Sequence, residues 1–128
     1  MGIRLRYAKV VDQDLFLRTG GTVRPGLNNE IRLAEDETPA QALPFFVLRA
    51  WDDVDGAFTE TWRLVDPHGR TVRPSTTREV LQGQTEISDE IVDQQFEYTD
   101  DSYQLVLEID EREVARANFS VLPRSPAT

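Results

Sequence analysis

The chain has 128 residues, of which 39% are hydrophobic and 29% charged, as expected for one folded domain rather than a disordered segment. Its 14 basic and 23 acidic side chains give a net charge of −9, and this acidic balance argues against binding to nucleic acid or to anionic membranes. The chain has no cysteine and one histidine, which excludes disulfides, thiolate ligands and multi-histidine metal sites.

The first third of the chain predicts three short strands separated by turns. Apolar and polar residues alternate from Ile3 to Val11, the pattern of a first strand. After a polar turn at 12–14 we expect a second strand at 15–17 and a third at 31–33, followed by a polar loop over 34–43. The opening residues alternate charged and apolar side chains, unlike a signal peptide, and no apolar run nears the roughly 20 residues that span a bilayer. We therefore expect a cytoplasmic protein.

The middle of the chain contains its most apolar strand and its strongest turn. Phe45–Trp51 is apolar on both faces, so we expect it at the centre of a sheet. Phe58–Val65 alternates, with Glu60 among the apolar residues of one face. The turn is Asp66-Pro67-His68-Gly69, in which proline presets the first central residue and glycine takes the left-handed position. A short strand at 70–73, a helical turn at 77–82 and strand fragments over 85–98 complete this part.

The stretch Tyr103–Leu122 predicts the closing hairpin of the domain. Its two halves each place four apolar side chains on one face, because successive residues of a strand point to opposite sides. These residues are Tyr103, Leu105, Leu107 and Ile109 in the first half and Ala115, Ala117, Phe119 and Val121 in the second. The link at 110–113 is entirely charged and lacks glycine, so we expect a loop of three to five residues, with Asp110 or Arg112 adopting any unfavourable backbone angle.

Seven or eight short strands with little helix predict an all-β domain, a single antiparallel β-sandwich over residues 1–123 with a frayed tail at 124–128. Two segments, W-R-L-V-D-P-H-G-R-T-V (62–72) and Y-Q-L-V-L-E-I-D-E-R-E-V-A-R-A-N-F-S-V-L (103–122), resemble small bacterial immunoglobulin-like sandwich proteins of uncharacterised function. In those proteins a D-P-x-G turn joins two middle strands and a terminal hairpin closes the sandwich; here Glu111 stands where their hairpin has glycine. The resemblance implies an immunoglobulin- or fibronectin-III-like fold and no particular activity.

A candidate ligand site lies at the end of the central strand. It comprises Trp51, Asp52, Asp53 and Asp55. Clustered carboxylates on a turn offer hard oxygen ligands for calcium, but the helix-flanked calcium motif needs acids where Trp51 and Trp62 stand. We expect a solvated turn without a metal, although a calcium site that combines this loop with the acids at 12–14 or 100–101 stays open. Trp51 is the better candidate of the two tryptophans for an exposed ring, which could stack on a sugar or another small ligand, whereas Trp62 shares its face with core residues.

The sequence carries no recognisable catalytic motif. His68 lies in a turn and is expected to face solvent. No G-x-S-x-G nucleophile elbow is present, and Gly20-Gly21 lacks the lysine and the helix of a phosphate-binding loop. We expect a protein that is not an enzyme and holds no cofactor.

An acidic run gives the candidate partner surface. Residues 86–113 contain 11 acids and one base, Arg112. Such a run is usually a solvated face, but it could also dock a basic partner, and edge strands of a sandwich invite strand addition. The candidate contact residues are Glu86, Asp89, Glu90 and Asp93. We expect a non-enzymatic interaction or structural module that binds a partner protein or itself through an edge strand or the acidic face at 86–113; the alternative is a module for carbohydrate or small ligands, with or without calcium.

Overall fold

The computed structural model describes residues 3–23, 27–52, 55–83 and 86–124. Within these ranges the protein is all-β apart from one short helix, as predicted, but it has ten strands rather than seven or eight. The elements are β1 (Arg4–Asp12), α1 (Gln13–Arg18), β2 (Glu30–Arg32), β3 (Ala40–Gln41), β4 (Phe45–Asp52), β5 (Phe58–Val65), β6 (Thr71–Val80), β7 (Glu86–Ile91), β8 (Gln95–Phe96), β9 (Tyr103–Ile109) and β10 (Arg112–Leu122). No helix in the described ranges is long and apolar enough to cross a membrane.

The strands form three sheets. One has the order β1-β4-β7, the second β2-β10-β9-β5-β6, and a two-stranded sheet pairs β3 with β8. The pairings are antiparallel except that β2 runs parallel to β10. The prediction of a wholly antiparallel arrangement is wrong at this pair, because the chain leaves the sheet of β1 and joins the adjoining edge of the five-stranded sheet, where it runs in the same direction as β10.

One core is enclosed by the three-stranded and five-stranded sheets. The central position predicted for β4 is confirmed, since this strand lies between β1 and β7. Its inward side chains meet those of β5, β9 and β10, as alternation along each strand requires. The buried residues from these four strands are Phe45, Val47, Trp51, Phe58, Trp62, Leu64, Tyr103, Leu105, Leu107, Phe119 and Val121. A smaller apolar cluster covers the outer face of β1 and β4, where Val11 and Leu48 pack against the partly buried Phe16 of α1.

Helix α1 occupies the segment in which the sequence predicts a strand at 15–17, and that prediction is wrong. Asp12 caps the helix, since its carboxylate accepts a hydrogen bond from the backbone N–H of Leu15 at 3.2 Å. Asp14 in the first turn forms an ion pair with Arg18 in the last turn. Local capping therefore outweighs the strand propensity of three apolar residues.

Strand β6 extends over residues for which the sequence predicts a helical turn at 77–82, so that prediction is also wrong. Thr77 pairs with Thr61, and Glu79 pairs with Thr59, in the ladder between β6 and β5. The hydroxyls of Thr61 and Thr77 are 3.1 Å apart and share a hydrogen bond. Pairing with a distant strand decides the conformation here, and local sequence does not contain that information.

The hairpin of β9 and β10 has the predicted faces but a tighter turn. Ile109 pairs directly with Arg112, so the loop has two residues, and the prediction of three to five is wrong. Asp110 and Glu111 both adopt positive φ, at 48° and 70°. Neither is a glycine, but Asp110 is anchored to β5: its carboxylate accepts from the backbone N–H of Thr59 at 3.0 Å, and its own N–H donates to the Thr59 carbonyl at 2.9 Å.

The Asp66–Gly69 turn forms as predicted. Gly69 has φ of 84°, and its N–H donates to the Asp66 carbonyl at 2.9 Å. The Asp66 carboxylate accepts from the backbone N–H groups of His68 and Arg70, each at 2.9 Å. His68 is exposed, as predicted. The hydrogen bond from Arg70, assisted by that from His68, lowers the pKa of Asp66.

The turn gives a pH-dependent stability that can be measured. Because the folded-state pKa of Asp66 is depressed, its contribution is present above the unfolded-state pKa, about 3.9, and is lost as pH falls through the lower folded-state value. We expect wild type to be more stable than Asp66→Asn in urea at pH 7, with the difference shrinking below about pH 4. Asp101→Asn, on another exposed turn, is the control. A difference that stayed constant with pH would contradict this assignment.

Candidate functional site

Strand β7 is an edge strand whose side chains alternate between the core and the surface. It pairs with β4 on one side, with Glu86 opposite Ala50, Ser88 opposite Leu48 and Glu90 opposite Phe46. Ile87 and Ile91 are each 5% exposed and belong to the core cluster. Since neighbouring residues of a strand point to opposite faces, the outward row of β7 is Glu86, Ser88 and Glu90. These three residues are exposed.

Asp89 points inward rather than lying on the acidic surface predicted from the sequence. One carboxylate oxygen accepts a hydrogen bond from the indole N–H of Trp62 at 2.9 Å and lies 3.1 Å from Nη1 of Arg49. The other oxygen accepts from Arg78 Nη2. Its side chain is 16% exposed. The prediction of surface exposure is wrong because Asp89 lies on the same face of β7 as Ile87 and Ile91, two residues from each, and that face points to the core.

Asp89 belongs to a buried charged cluster between the two large sheets. Arg49 and Glu60 are fully buried. Arg49 donates through Nε to one oxygen of Glu60 at 3.1 Å and through Nη2 to the other. Its Nη1 donates to the Val47 carbonyl at 2.8 Å, and its guanidinium carbon lies 5.9 Å from the centre of the Trp62 ring. Arg78 and Asp89 complete the cluster, in which the charges of two arginines and two carboxylates balance.

The geometry of this buried cluster fits a role in structure rather than catalysis. Arg49 and Glu60 have no solvent-exposed surface, so neither water nor a substrate reaches them. Their charged groups bond to each other and to partners fixed on the sheets, which is what buried ions require. Two features of the sequence could have indicated this buried pair: an arginine in the most apolar strand and a glutamate on an apolar face.

Trp51 is buried, so its predicted exposure is wrong. Its side chain is fully buried, its indole N–H donates to Glu60 at 2.7 Å, and its ring packs edge-on against Phe58 with centroids 5.5 Å apart. The reason is again the alternation of side chains along a strand, which places Trp51 on the inward face of β4 with Val47. A stacking platform for a sugar would need this ring at the surface.

The described acids near Trp51, Asp52 and Asp55, do not belong to a cluster of metal ligands. Asp52 accepts hydrogen bonds from Nε and Nη2 of Arg6, at 2.9 and 2.6 Å. These hydrogen bonds are the main cause of the lowered pKa of Asp52. Asp55 is exposed, and Asp53 lies outside the described residues. Among the described residues no group of three or more potential ligands could hold a metal ion.

Asp52 and the acids at 12–14 do not share a calcium site. Asp12 pairs with Phe45, whereas Asp52 pairs with Arg4, so the two acids stand at opposite ends of the β1–β4 ladder. At a rise of about 3.3 Å per residue, the length of that ladder far exceeds the span of one coordination sphere.

A cleft of about 550 Å³ lies on the outer face of the three-stranded sheet. The segment of α1 and the residues after it cover β1 and β4, and the cleft lies between that cover and β7. Apolar and polar side chains both line it. Its lining includes Tyr7, Phe16, Val23, Leu48, Glu86 and Ser88. Burial, and then the charge of Glu86, raise the pKa of Tyr7.

Arg6 lies next to one residue of each predicted site, since it bonds to Asp52 and lines the same cleft as Glu86. Arg6 lines the cleft, and its pKa is raised chiefly by the hydrogen bond to Asp52 and to a smaller extent by the charge of Glu86. Asp93, the last of the predicted partner residues, is separate: its side chain is 75% exposed and lies 3.1 Å from Arg73. The candidate functional surface is therefore the outward row of β7 with the adjoining cleft.

Comparison with known proteins gives no relative, since no protein-family model, curated protein or solved structure matches the chain. The resemblance to small bacterial immunoglobulin-like proteins stays a prediction from the sequence. What the protein does must therefore be inferred from the geometry of its strands.

Proposed function

We propose that this protein is a non-enzymatic interaction module with an immunoglobulin-like β-sandwich fold, and that it binds an extended segment of a partner protein along the free edge of β7. The observation that carries the proposal is that, within the described part of the chain, β7 has a paired neighbour, β4, on one side only. Free strand edges present unpaired N–H and C=O groups and are templates for β-strand addition.

The strand order supports the immunoglobulin-like part of the proposal. Taken in sequence, β1, β4 and β7 stand where strands A, B and E do, and β5, β9 and β10 stand where C, F and G do. Trp62 is buried on β5, as the tryptophan of strand C is in that fold. Tyr103 begins β9, and its hydroxyl donates to the carbonyl of Glu97 at 2.8 Å, the arrangement of a tyrosine corner.

The same correspondence supports β7 as the docking edge. In constant-type immunoglobulin domains strand D pairs with strand E and completes a four-stranded sheet. In this protein the three-stranded sheet ends at β7. A strand from a partner would complete that sheet.

The other long edges carry backbone features that discourage pairing, whereas the protection of β7 is the charge of its side chains, which a partner of opposite charge would balance. Pro74 in β6 lacks a backbone N–H, and β1 has an irregular register between Leu5 and Tyr7. Prolines and bulges are the usual protections of edge strands. β7 has six residues without proline, and its register with β4 is regular.

Charge favours a different protein over a second copy of this chain. If two β7 strands paired antiparallel about Ser88, Glu86 of each copy would lie opposite Glu90 of the other. Like charges directly opposite each other destabilise a strand pair. We therefore propose a partner with different chemistry.

The cleft beside β7 supports one alternative function, the binding of a small ligand. Its size, and a lining that joins aromatic and aliphatic side chains to polar ones, are compatible with a small ligand. Because both tryptophans are buried, the probe for this alternative is the NMR signal of Tyr7 and Phe16 during titration with sugars or apolar acids.

The proposed function is tested by capture followed by mapping. Tagged protein is incubated with host lysate at physiological salt, and a stoichiometric partner is purified and tested by hydrogen–deuterium exchange. We expect protection of the β7 amides and loss of capture with Glu86→Lys/Glu90→Lys. The charge-matched control is Glu35→Lys/Glu37→Lys, on an exposed loop. Protection confined to other strands, equal capture by both variants, or an empty capture would overturn the proposal.

A further inference from the structure

We infer that the partner segment has the pattern basic–x–apolar–x–basic, with the three named side chains on the outward face of the completed sheet. This inference rests on the proposed function, because it assumes pairing with β7. It adds the chemistry of the partner, which the free edge alone does not specify.

The spacing follows from the register of an added strand. Residues directly opposite each other in neighbouring strands point to the same face, with Cβ atoms about 4.5–5.5 Å apart. The outward row of β7 has a period of two, with Glu86, Ser88 and Glu90 at successive outward positions. An added strand therefore meets this row with every second side chain, and the symmetry of the pattern makes it independent of strand direction.

The two outer positions of the segment face exposed carboxylates. Glu86 and Glu90 are both exposed on the outward face. Arg6, the cation that lines the cleft near Glu86, already donates two hydrogen bonds to Asp52. A lysine or arginine opposite each glutamate would complete a cross-strand pair of opposite charge, and the net charge of −9 would attract such a segment from a distance.

The central position faces a small residue with the cleft behind it. Ser88 is the smallest side chain of the outward row, and Leu48 lies opposite it in the ladder with β4. Both residues line the cleft with Phe16 and Val23. A long apolar side chain placed opposite Ser88 can pass over the hydroxyl toward Phe16 and Val23, which are only partly buried, whereas a short or charged one leaves their exposed apolar surface in contact with water.

The test uses end-capped synthetic peptides with the sequences T-K-T-L-T-K-T, T-E-T-L-T-E-T and T-K-T-S-T-K-T. Binding is followed by ¹⁵N NMR of the β7 amides and by calorimetry. We expect the first peptide to bind about tenfold or more tightly than either of the others. Glu86→Lys/Glu90→Lys should reverse the preference between the lysine and glutamate peptides, and Glu35→Lys/Glu37→Lys should not.

Backbone pairing is tested separately by N-methylation of alternate peptide residues. Methylation should abolish binding when the methylated residues are those whose N–H groups face β7 and should be tolerated at the intervening residues. If the three peptides shift the β7 amides with equal affinity, the inferred pattern is wrong but edge pairing stands. If none of them shifts the β7 amides, the inferred pattern is overturned, and edge binding is then decided by the exchange mapping of the captured partner.

Discussion

Glu60→Ala is expected to lower the free energy of unfolding by about 3–5 kcal/mol, a large share of the stability of an ordinary domain. The substitution leaves the fully buried guanidinium of Arg49 without its two bonds to Glu60 and leaves the indole N–H of Trp51 unpaired. The guanidinium then keeps only its contacts with Asp89 and the Val47 carbonyl, so much of its desolvation penalty is no longer offset. Equilibrium unfolding in urea measures the change.

The matched control is Glu108→Ala, which also removes a glutamate that pairs with an arginine across two strands. Glu108 lies 2.7 Å from Arg63, but the two side chains are 23% and 25% exposed, so water compensates for the lost contact. We expect a loss of about 0–1 kcal/mol there. If Glu60→Ala cost no more than Glu108→Ala, the buried pair would not have the structural role assigned to it.

Replacing both members of the buried pair tests whether the cost of Glu60→Ala comes from the lost ion pair itself or from the unpaired charge that remains on Arg49. Arg49→Leu/Glu60→Leu fills the space with apolar side chains and leaves no unpaired charge at these two positions. Asp89 retains its ion pair with Arg78. We expect the double variant to be more stable than either single variant, because replacing a buried pair by packed apolar residues is often neutral.

Much of the fold could be predicted from the sequence because alternation along a strand is a local property. The inward faces of β9 and β10, the central position of β4 and the turn at 66–69 follow from the pattern alone. The errors arise where another element decides. Asp12 caps a helix in place of a strand, and the anchoring of Asp110 on Thr59 permits a two-residue turn without glycine.

The candidate site was predictable in part for the same reason. Glu86 and Glu90 are exposed acids, as the acidic run predicts. The inward direction of Asp89 could have been deduced from the apolar Ile87 and Ile91 on either side, because all three share one parity. The pairing of Arg49 with Glu60 could not, since it joins two sheets whose relative order is not contained in either strand.

Asp89→Ala is expected to cost about 2–4 kcal/mol, somewhat less than Glu60→Ala because the Asp89 side chain keeps 16% of its exposure. The substitution removes the partner of Arg78, one partner of Arg49 and the acceptor of the Trp62 indole N–H. These contacts tie β7 to the opposite sheet, so β7 amides should exchange faster in the variant.

Glu90→Ala is the matched control for Asp89→Ala, because it removes the neighbouring carboxylate from the other face of the same strand. Glu90 is exposed and lies opposite Phe46. We expect this variant to keep its stability within about 0.5 kcal/mol and to weaken binding of the lysine peptide. The two substitutions thus distinguish a residue that holds β7 in place from one that faces a partner. The assignment would be contradicted if Asp89→Ala kept its stability but lost binding while Glu90→Ala was unaffected. In that case Asp89 would contact the partner, and the face of β7 that carries Asp89 would point to solvent rather than to the core.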